Sequence, residues 1–335
     1  MIDAYHVQGF YAFVLSRCEN VSVSVIARSN YDAIKKDGLK IESQNHGTHQ
    51  IHFDGGKSTH PLRRCIIHSS HVDNSVYKSP TDAAGQSFDY IVCAHKAVNP
   101  PAIPSLFKSV VSDSTTFVII QNGVGNEDPF RETYPNNSIL SCVTWVGAKQ
   151  PTPGTVQHTK AEDMQMGLFP NPKLDPKLEK SRLDKFAELL TQGKTIFQVE
   201  ENIQIKRWEK VVWNAAWNPL TTLTNTDTQT WMNSSEDAVP VTRQLMREVI
   251  DVARRCNVPI QYELIDELFG KVEKMGAIGS SMQNDMRAGN ALEVDVIVGV
   301  PLKRAKELGM DVPILRTIAS LTMAVNARIV GASKL

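Results

Sequence analysis

An α/β half followed by an all-helical half is the fold class that this 335-residue sequence predicts. Three observations predict it. Apolar runs of strand length alternate with helix-like segments through the first half of the chain. Three prolines then fall within Leu168 to Pro176, LFPNPKLDP. Beyond them the apolar residues recur at helical periods near 3.6. A chain of this length exceeds a typical single domain, so the proline cluster predicts a boundary, with one domain at 1–172 and a second at 173–335.

In the first half, Phe10 to Ser16 (FYAFVLS) reads as a short apolar helix, and Val21 to Ile26 (VSVSVI) alternates with the period of two of a strand, with Arg28 just beyond it. Asp32 to Gly38 reads as a helix closed by glycine, and Leu39 to Glu42 begins another strand. Between Ser43 and Ser87 the pattern weakens around six histidines: His46, His49, His52, His60, His68 and His71. No acidic or cysteine residues recur beside them at ligand spacing, so an exposed hairpin and loop is expected there and no metal site. Asp89 to Ala94 (DYIVCA) and Thr116 to Ile120 (TFVII) are apolar enough to be buried parallel strands. The first ends in His95 and Lys96, the second in Gln121, Asn122 and Gly123. Ligands of an open α/β sheet sit at the carboxyl ends of its strands, which would gather Arg28, Lys96 and Asn122 at one edge. Ile139 to Val146 and Thr155 to Met166 read as further strands, joined by a Pro-Thr-Pro-Gly turn at 151–154.

In the second half, helical periods run through Leu183 to Thr191, Lys206 to Trp217, Val241 to Asn257, Ile265 to Lys274, Leu292 to Leu308 and Ile314 to Ile329. The richest stretch is Arg207 to Leu220, RWEKVVWNAAWNPL. On a helix it sets Lys210, Asn214 and Asn218 in one stripe, roughly 12 Å long at about 1.5 Å per residue, with apolar side chains around the rest of the circumference. Such a helix is expected to be buried, and buried polar groups need partners, among which a polar ligand is one choice. Snorkelling of Lys210 to solvent and capping or cross-linking by the asparagines is the other. Pro219 is expected to end or kink the helix at Asn218. A second polar concentration is Gly279 to Gly299, where Ser280 and Ser281 stand at a helix start, Asp285 falls in its first turn, and Glu293 lies between Leu292 and Val294.

Composition narrows the function classes. Thirty-six basic and thirty-six acidic residues leave no net charge and no electrostatic footprint for nucleic acid or an anionic membrane, which favours a small-molecule ligand. Five scattered cysteines without a C-x-x-C pair read as reduced thiols, and no apolar run reaches membrane-spanning length, so a cytoplasmic protein is expected.

Six blocks in order resemble the ketopantoate reductases (2-dehydropantoate 2-reductases) and their fungal-type relatives: VSVIAR at 23–28, DYIVCAHKA at 89–97, IIQNGVGNE at 119–127, PGTVQHT at 153–159, KVVWNAAWNPLT at 210–221, and SSMQNDMRAG with EVDVIVG at 280–299. The resemblance implies an α/β Rossmann-type N-terminal domain, an all-α C-terminal domain of the 6-phosphogluconate dehydrogenase C-terminal-like kind, and NADPH-dependent reduction of a 2-keto acid. In that reading Arg28 takes the 2′-phosphate of NADPH, with Gly9, Lys96 and Asn122 also at the cofactor. Lys210 is the general acid, Asn214, Asn218 and Asn122 hold substrate oxygens, Ser281 binds the carboxylate, and Glu293 orients substrate and lysine. A homodimer is compatible with the apolar helical domain.

The N-terminus departs from that pattern. A dinucleotide fold opens with an apolar strand and G-x-G-x-x-G, whose glycines let backbone N–H groups approach the pyrophosphate. Here Asp3, Tyr5 and Gln8 stand where the glycines belong, with only Gly9 nearby, so a truncated or degenerate glycine loop is expected. Trp145, the Ala161 to Asp163 turn and Thr228 also depart from the family pattern. Two other readings stay open: a repurposed scaffold in which Lys210 and Glu293 catalyse a cofactor-independent isomerisation or cyclisation, and a non-catalytic binding protein.

Overall fold

The structure is a computed structural model that describes residues 6–53 and 75–332. It divides into two compact units, the first made of 1–95, 101–121 and 129–201 and the second of 96–100, 122–128 and 202–335. The division therefore falls after Glu201, later than the proline cluster at 168–176. Pro176 is the first residue of a helix whose start is capped by the Asp175 carboxylate accepting the Lys177 N–H, so the last of these prolines marks a helix start.

In chain order the first unit holds α1 (His6–Ser16), β1 (Ser24–Ile26), α2 (Tyr31–Asp37), β2 (Leu39–Ser43), β3 (Gly47–Ile51), β4 (Ser75–Tyr77), β5 (Tyr90–Cys93) and β6 (Thr116–Ile119). After α3 (Glu127–Thr133), whose first two residues belong to the second unit, follow β7 (Ser138–Thr144), β8 (Ala148–Thr152), β9 (Thr155–His158), β10 (Met164–Phe169), α4 (Pro176–Gln192) and β11 (Gln198–Val199). A five-stranded sheet has the order β11-β10-β7-β6-β5, with β5, β6 and β7 parallel and β10 antiparallel to β7. The parallel pair β1 and β4 forms a second sheet, and β3-β2-β9-β8 a third. Thr155 to Met166, read as one strand, is two, because the chain turns between His158 and Met164 and changes sheets.

Alternation along the parallel strands feeds two cores. Val118 and Leu140 face a cluster shared with Phe10, Tyr11 and Phe13 of α1, Val25 and Ala27, and Leu183, Phe186 and Leu190 of α4. Phe117, Ile119 and Ile139 face the other, with Ile91, Phe107 and Phe130. Both faces being covered explains why these strands read as continuous apolar runs. Each fully buried aromatic or aliphatic side chain contributes about 1.5–3 kcal/mol by removal from water.

Of the histidine run, His60, His68 and His71 lie outside the described residues. His46 sits in a partly buried polar network, its Nε2 2.9 Å from Glu162 Oε2. Glu162 also accepts from Asn45 and from the Thr195 hydroxyl, and His158 bonds the Ser43 hydroxyl at 2.8 Å. No group of side chains suited to a metal occurs among the described residues.

The second unit is helical: α5 (Ile203–Thr224), α6 (Thr228–Met232), α7 (Ala238–Arg255), α8 (Leu264–Met275), α9 (Ser281–Arg287), a π-helical turn (Asp295–Gly299), α10 (Val300–Glu307) and α11 (Pro313–Ala332). At its centre is α5, 22 residues or about 33 Å long. Of the two outcomes expected at Asn218, an end or a kink, the helix does not end there: α5 continues through Pro219 to a left-handed cap at Asn225. An internal proline costs about 3 kcal/mol in an exposed helix. Here Ala215, Ala216, Trp217 and Leu220 are all buried around it, and that packing outweighs the local penalty. The segment 292–308, expected as one helix, contains the wide π turn before α10. The Glu248 carboxylate accepts the Leu315 N–H at 2.8 Å and so caps α11. Helix α11 is long and apolar enough to cross a membrane by length and composition, and its most apolar window is only 17% buried.

Candidate active site

Helix α5 brings together the stripe expected from spacing. Asn214 and Asn218, one and two turns after Lys210, are only 6% and 3% exposed. Their Nδ2 groups have no hydrogen-bond partner, and neither has the indole Nε1 of Trp217, which shares this face at i+7 from Lys210. Trp217 is fixed edge-on between Trp213, with ring centroids 6.0 Å apart, and Phe269, at 5.6 Å. The stripe continues to Thr221, whose hydroxyl donates to the Ser280 Oγ at 2.7 Å. One helix face therefore carries an ammonium and three buried N–H donors with nothing protein-borne to accept from the last three. Each unmade buried hydrogen bond costs about 1–3 kcal/mol, which an oxygen-rich ligand would relieve.

Lys210 keeps part of its surface open, yet loss of solvation draws its pKa down from the ordinary lysine value to about 8. Glu293 opposes that shift, while the positive charges of Arg207 and Lys271 add to it. An ammonium near pKa 8 is charged at neutral pH and a far better proton donor than an exposed lysine.

Glu293, 6% exposed, is held by both oxygens: Oε1 accepts the Ala97 N–H and Oε2 accepts from Asn122 Nδ2, each at 3.0 Å. Asn122 thus serves Glu293 directly, and its own carbonyl accepts from Asn126 Nδ2 at 2.7 Å. The loop carrying Asn122 is laid on the π turn. Gly123 has φ +87°, and a Cβ there would fall 2.4 Å from Val296 Cβ, so only glycine permits the approach. The Val124 N–H donates to the Val296 carbonyl at 3.1 Å.

A buried ion pair tethers the same loop to α5. Arg207 Nε lies 2.7 Å from Glu127 Oε1, both side chains being 1% exposed, and Arg207 Nη1 donates to the Gly123 carbonyl at 2.9 Å. Lys96 forms an ion pair with Asp285. Asp285, expected to serve the cap of the helix at 281, instead answers Lys96, and the cap is Ser280, whose Oγ accepts the Gln283 N–H. Burial raises the Asp285 pKa while Lys96 pulls it back down. Ser281 is the first residue of α9 and is exposed. Thr228 is buried at the start of α6, where its backbone N–H bonds the Ile278 carbonyl. Sequence reasoning missed Arg207, Glu127, Asn126 and Asp285 as parts of this assembly. Arg207 inside an apolar helix and Glu127 after the N-G-V-G-N run were the available signals.

In the first unit, Arg28 follows β1 and is exposed. Gly9 lies within α1, where a Cβ would come 2.8 Å from Val156 Cγ2 and 3.5 Å from Leu39 Cδ1. Its missing side chain serves the close approach of α1 to the β2 and β9 strands. At the carboxyl end of β5, His95 is 4% exposed and neither ring nitrogen has a partner.

The architecture is that of a Rossmann-type domain followed by a helical domain, and solved structures with the same fold are similar across nearly the whole chain. One is the 2-dehydropantoate 2-reductase of Methylococcus capsulatus, with a TM-score of 0.80, 24% identity, and coverage of 98% of this chain and 96% of that one. Another is a D-mandelate dehydrogenase in ternary complex with NADH and anilino(oxo)acetate, with a TM-score of 0.79, 17% identity, and coverage of 98% and 97%. Residues 7–171 match the family described as Ketopantoate reductase PanE/ApbA, and residues 202–326 match its C-terminal counterpart. The chain belongs to the ketopantoate reductase family. Relatives include the 2-dehydropantoate 2-reductase of Nostoc sp., 25% identical over 91% of this chain and 88% of its own length. The uncharacterized protein YDL144C of Saccharomyces cerevisiae is 24% identical over 92% and 87%.

Proposed function

We propose that this protein is an NADPH-dependent reductase of a 2-keto acid, with Lys210 as the proton donor. The observation that carries the reading is the α5 face, where Lys210 is followed by buried, unpartnered donors on Asn214, Trp217 and Asn218. A 2-keto acid presents a carbonyl and a carboxylate, both rich in acceptors and lacking donors, which complements such a row.

The residues present fit a dinucleotide at one place of the first unit, the exposed guanidinium of Arg28 after β1, suited to a 2′-phosphate. When bound, NADPH supplies the hydride that adds to the carbonyl carbon. Lys210 transfers an Nζ proton to the carbonyl oxygen as charge develops there, and its ammonium stabilises that charge before the transfer. Asn214 and Asn218 donate to substrate oxygens and fix the carbonyl, while Ser281 is the candidate donor to the carboxylate. Glu293, clamped by Ala97 and Asn122, keeps the ammonium charged and oriented. In this reading Lys96 and Asn122 border the cofactor, and the chain works as a cytoplasmic homodimer on a small molecule.

The test is NADPH oxidation at 340 nm by the purified protein against a panel of branched, aromatic and linear 2-keto acids, with Lys210→Ala alongside. Turnover that vanishes in the variant supports the reading. Failure of the folded protein to bind NADPH at millimolar concentration would overturn it. Light scattering of the same sample reads the oligomeric state.

A further inference from the structure

Cations from two neighbouring strands meet where β1 and β4 end. The strands run parallel with Ile26 opposite Tyr77, and the Ala27 N–H donates to the Tyr77 carbonyl at 2.8 Å. Arg28 and Lys78, the residues that follow, therefore leave this small sheet at the same carboxyl end, and both are exposed. That is the end at which an open α/β sheet takes its ligands.

Lys78 reaches the turn that Arg28 opens. Its Nζ lies 4.9 Å from the ring centroid of Tyr31, and the Tyr31 N–H donates to the Arg28 carbonyl at 3.3 Å. Both loops are fixed in place. Asn30, buried inside the turn, accepts at Oδ1 from Gln150 Nε2 at 2.6 Å and from the Gly154 N–H at 3.3 Å, while the Ser79 N–H donates to the Asp82 carboxylate at 2.9 Å. A third cation, Lys35, is already committed: its Nζ donates to the Tyr31 hydroxyl at 2.9 Å, and the charge of Asp32 offsets its own. Lys78 forms no ion pair among the described residues, and the ring of Tyr31 is what holds its ammonium there. Cations gathered at one strand end repel each other, a cost that an anion between them turns into a gain.

We infer that Lys78 is a second ligand of the 2′-phosphate beside Arg28, steadied by the Tyr31 ring, and that it sets the preference for NADPH over NADH. The inference rests on the NADPH reading above. A phosphate monoester carries close to two negative charges near neutral pH and three acceptor oxygens. The planar fork of a guanidinium takes two of those oxygens and neutralises one charge, which leaves an oxygen and a charge for a compact ammonium. NADH has a hydroxyl in place of that phosphate, so Lys78 adds little to its binding.

The experiment titrates NADPH, NADH and adenosine 2′-monophosphate into the wild type, Lys78→Met, Lys78→Arg and Tyr31→Leu at one ionic strength. Expected in Lys78→Met is a dissociation constant raised about ten-fold for NADPH and for the monophosphate, the worth of one charged hydrogen bond at an exposed site, with NADH unchanged. Lys78→Arg keeps the charge and should recover most of the loss. Tyr31→Leu removes the ring but no charge and should fall between the wild type and Lys78→Met. NADPH binding in Lys78→Met as tight as in the wild type, or an equal loss for NADPH and NADH, overturns the inference and leaves the NADPH reading standing. Failure of the folded wild type to bind NADPH overturns both.

Discussion

The two units handle their polar groups in opposite ways. In the second, the chemistry is assembled from residues that hold one another: Glu293 between Ala97 and Asn122, Arg207 between Glu127 and Gly123, with a row of unanswered donors left on α5. In the first, Arg28 stands exposed at one strand end and His95 buried at another, while the glycine of the opening helix serves packing. The difference teaches that the α5 face is organised by long-range contacts, whereas the strand ends of the first unit are organised by packing.

The largest expected effect is at the proton donor. Lys210→Ala should lower kcat with the best keto acid by about 10²- to 10⁴-fold while NADPH affinity is retained. The wild-type rate should fall as pH rises through about 8, because deprotonation removes the donor. Glu293→Gln should move that limb to lower pH, since the carboxylate is what raises the Lys210 pKa against desolvation. Stability has its own sign. The folded pKa is below the unfolded one, so Lys210 costs stability when charged, fully below about pH 8, and the cost fades between 8 and the ordinary lysine value. Lys210→Met should therefore gain stability at pH 7 and lose that advantage in alkaline buffer, as urea denaturation at both values would read. A limb that stays put in Glu293→Gln would deny the carboxylate this role.

Next in size is the tether. Arg207→Met leaves Glu127 buried without its cation and should cost about 3–5 kcal/mol in urea unfolding. Restoring charge balance with Glu127→Gln should recover part of it. A loss under 1 kcal/mol would mean that the loop bearing Asn122 is held by Gly123 and Val124 on the π turn alone.

How much of this the sequence disclosed depends on the range of each interaction. The Lys210, Asn214 and Asn218 stripe was legible because helical spacing is local, and so were β5, β6 and the glycine that ends α2. Pro219 misled because a local penalty was outweighed by packing of residues from several helices. Of the prolines near 172, Pro176 starts a helix at its first position, a use of the residue that spacing does not separate from a chain break. Asp285 was read as a capping residue because it falls in the right turn, but its partner Lys96 is far away in sequence. His95 was visible as a polar residue ending a strand, yet no spacing rule says that both its nitrogens are buried without partners. A sequence displays what a helix turn brings together, and it hides what distant segments supply or withhold.

Substrate grip should give a smaller effect than proton transfer. Asn218→Ala removes a buried amide whose Nδ2 has no protein partner, so it should raise KM about ten-fold, the worth of one ligand hydrogen bond. Thermal stability should stay level or rise, because an unanswered donor goes with it. The opposite result, lower stability and unchanged KM, would make Asn218 a structural residue.

The smallest effect bears on the first unit. Gly9→Ala puts a methyl 2.8 Å from Val156 Cγ2, a side-chain atom that can shift but is buried with Leu39 in the core. Overpacking of this kind costs about 1–3 kcal/mol, and the lower end applies because the contact is with a valine methyl and not with backbone. If Gly9 serves only the approach of α1 to the strands, the variant loses that stability and binds NADPH as tightly as the wild type once folded. If Gly9 works as a cofactor glycine, with the dinucleotide against its backbone, affinity falls more than stability does. Equilibrium unfolding and NADPH titration of one variant therefore separate a packing glycine from a binding one, and decide how much of the glycine-loop function the first unit retains.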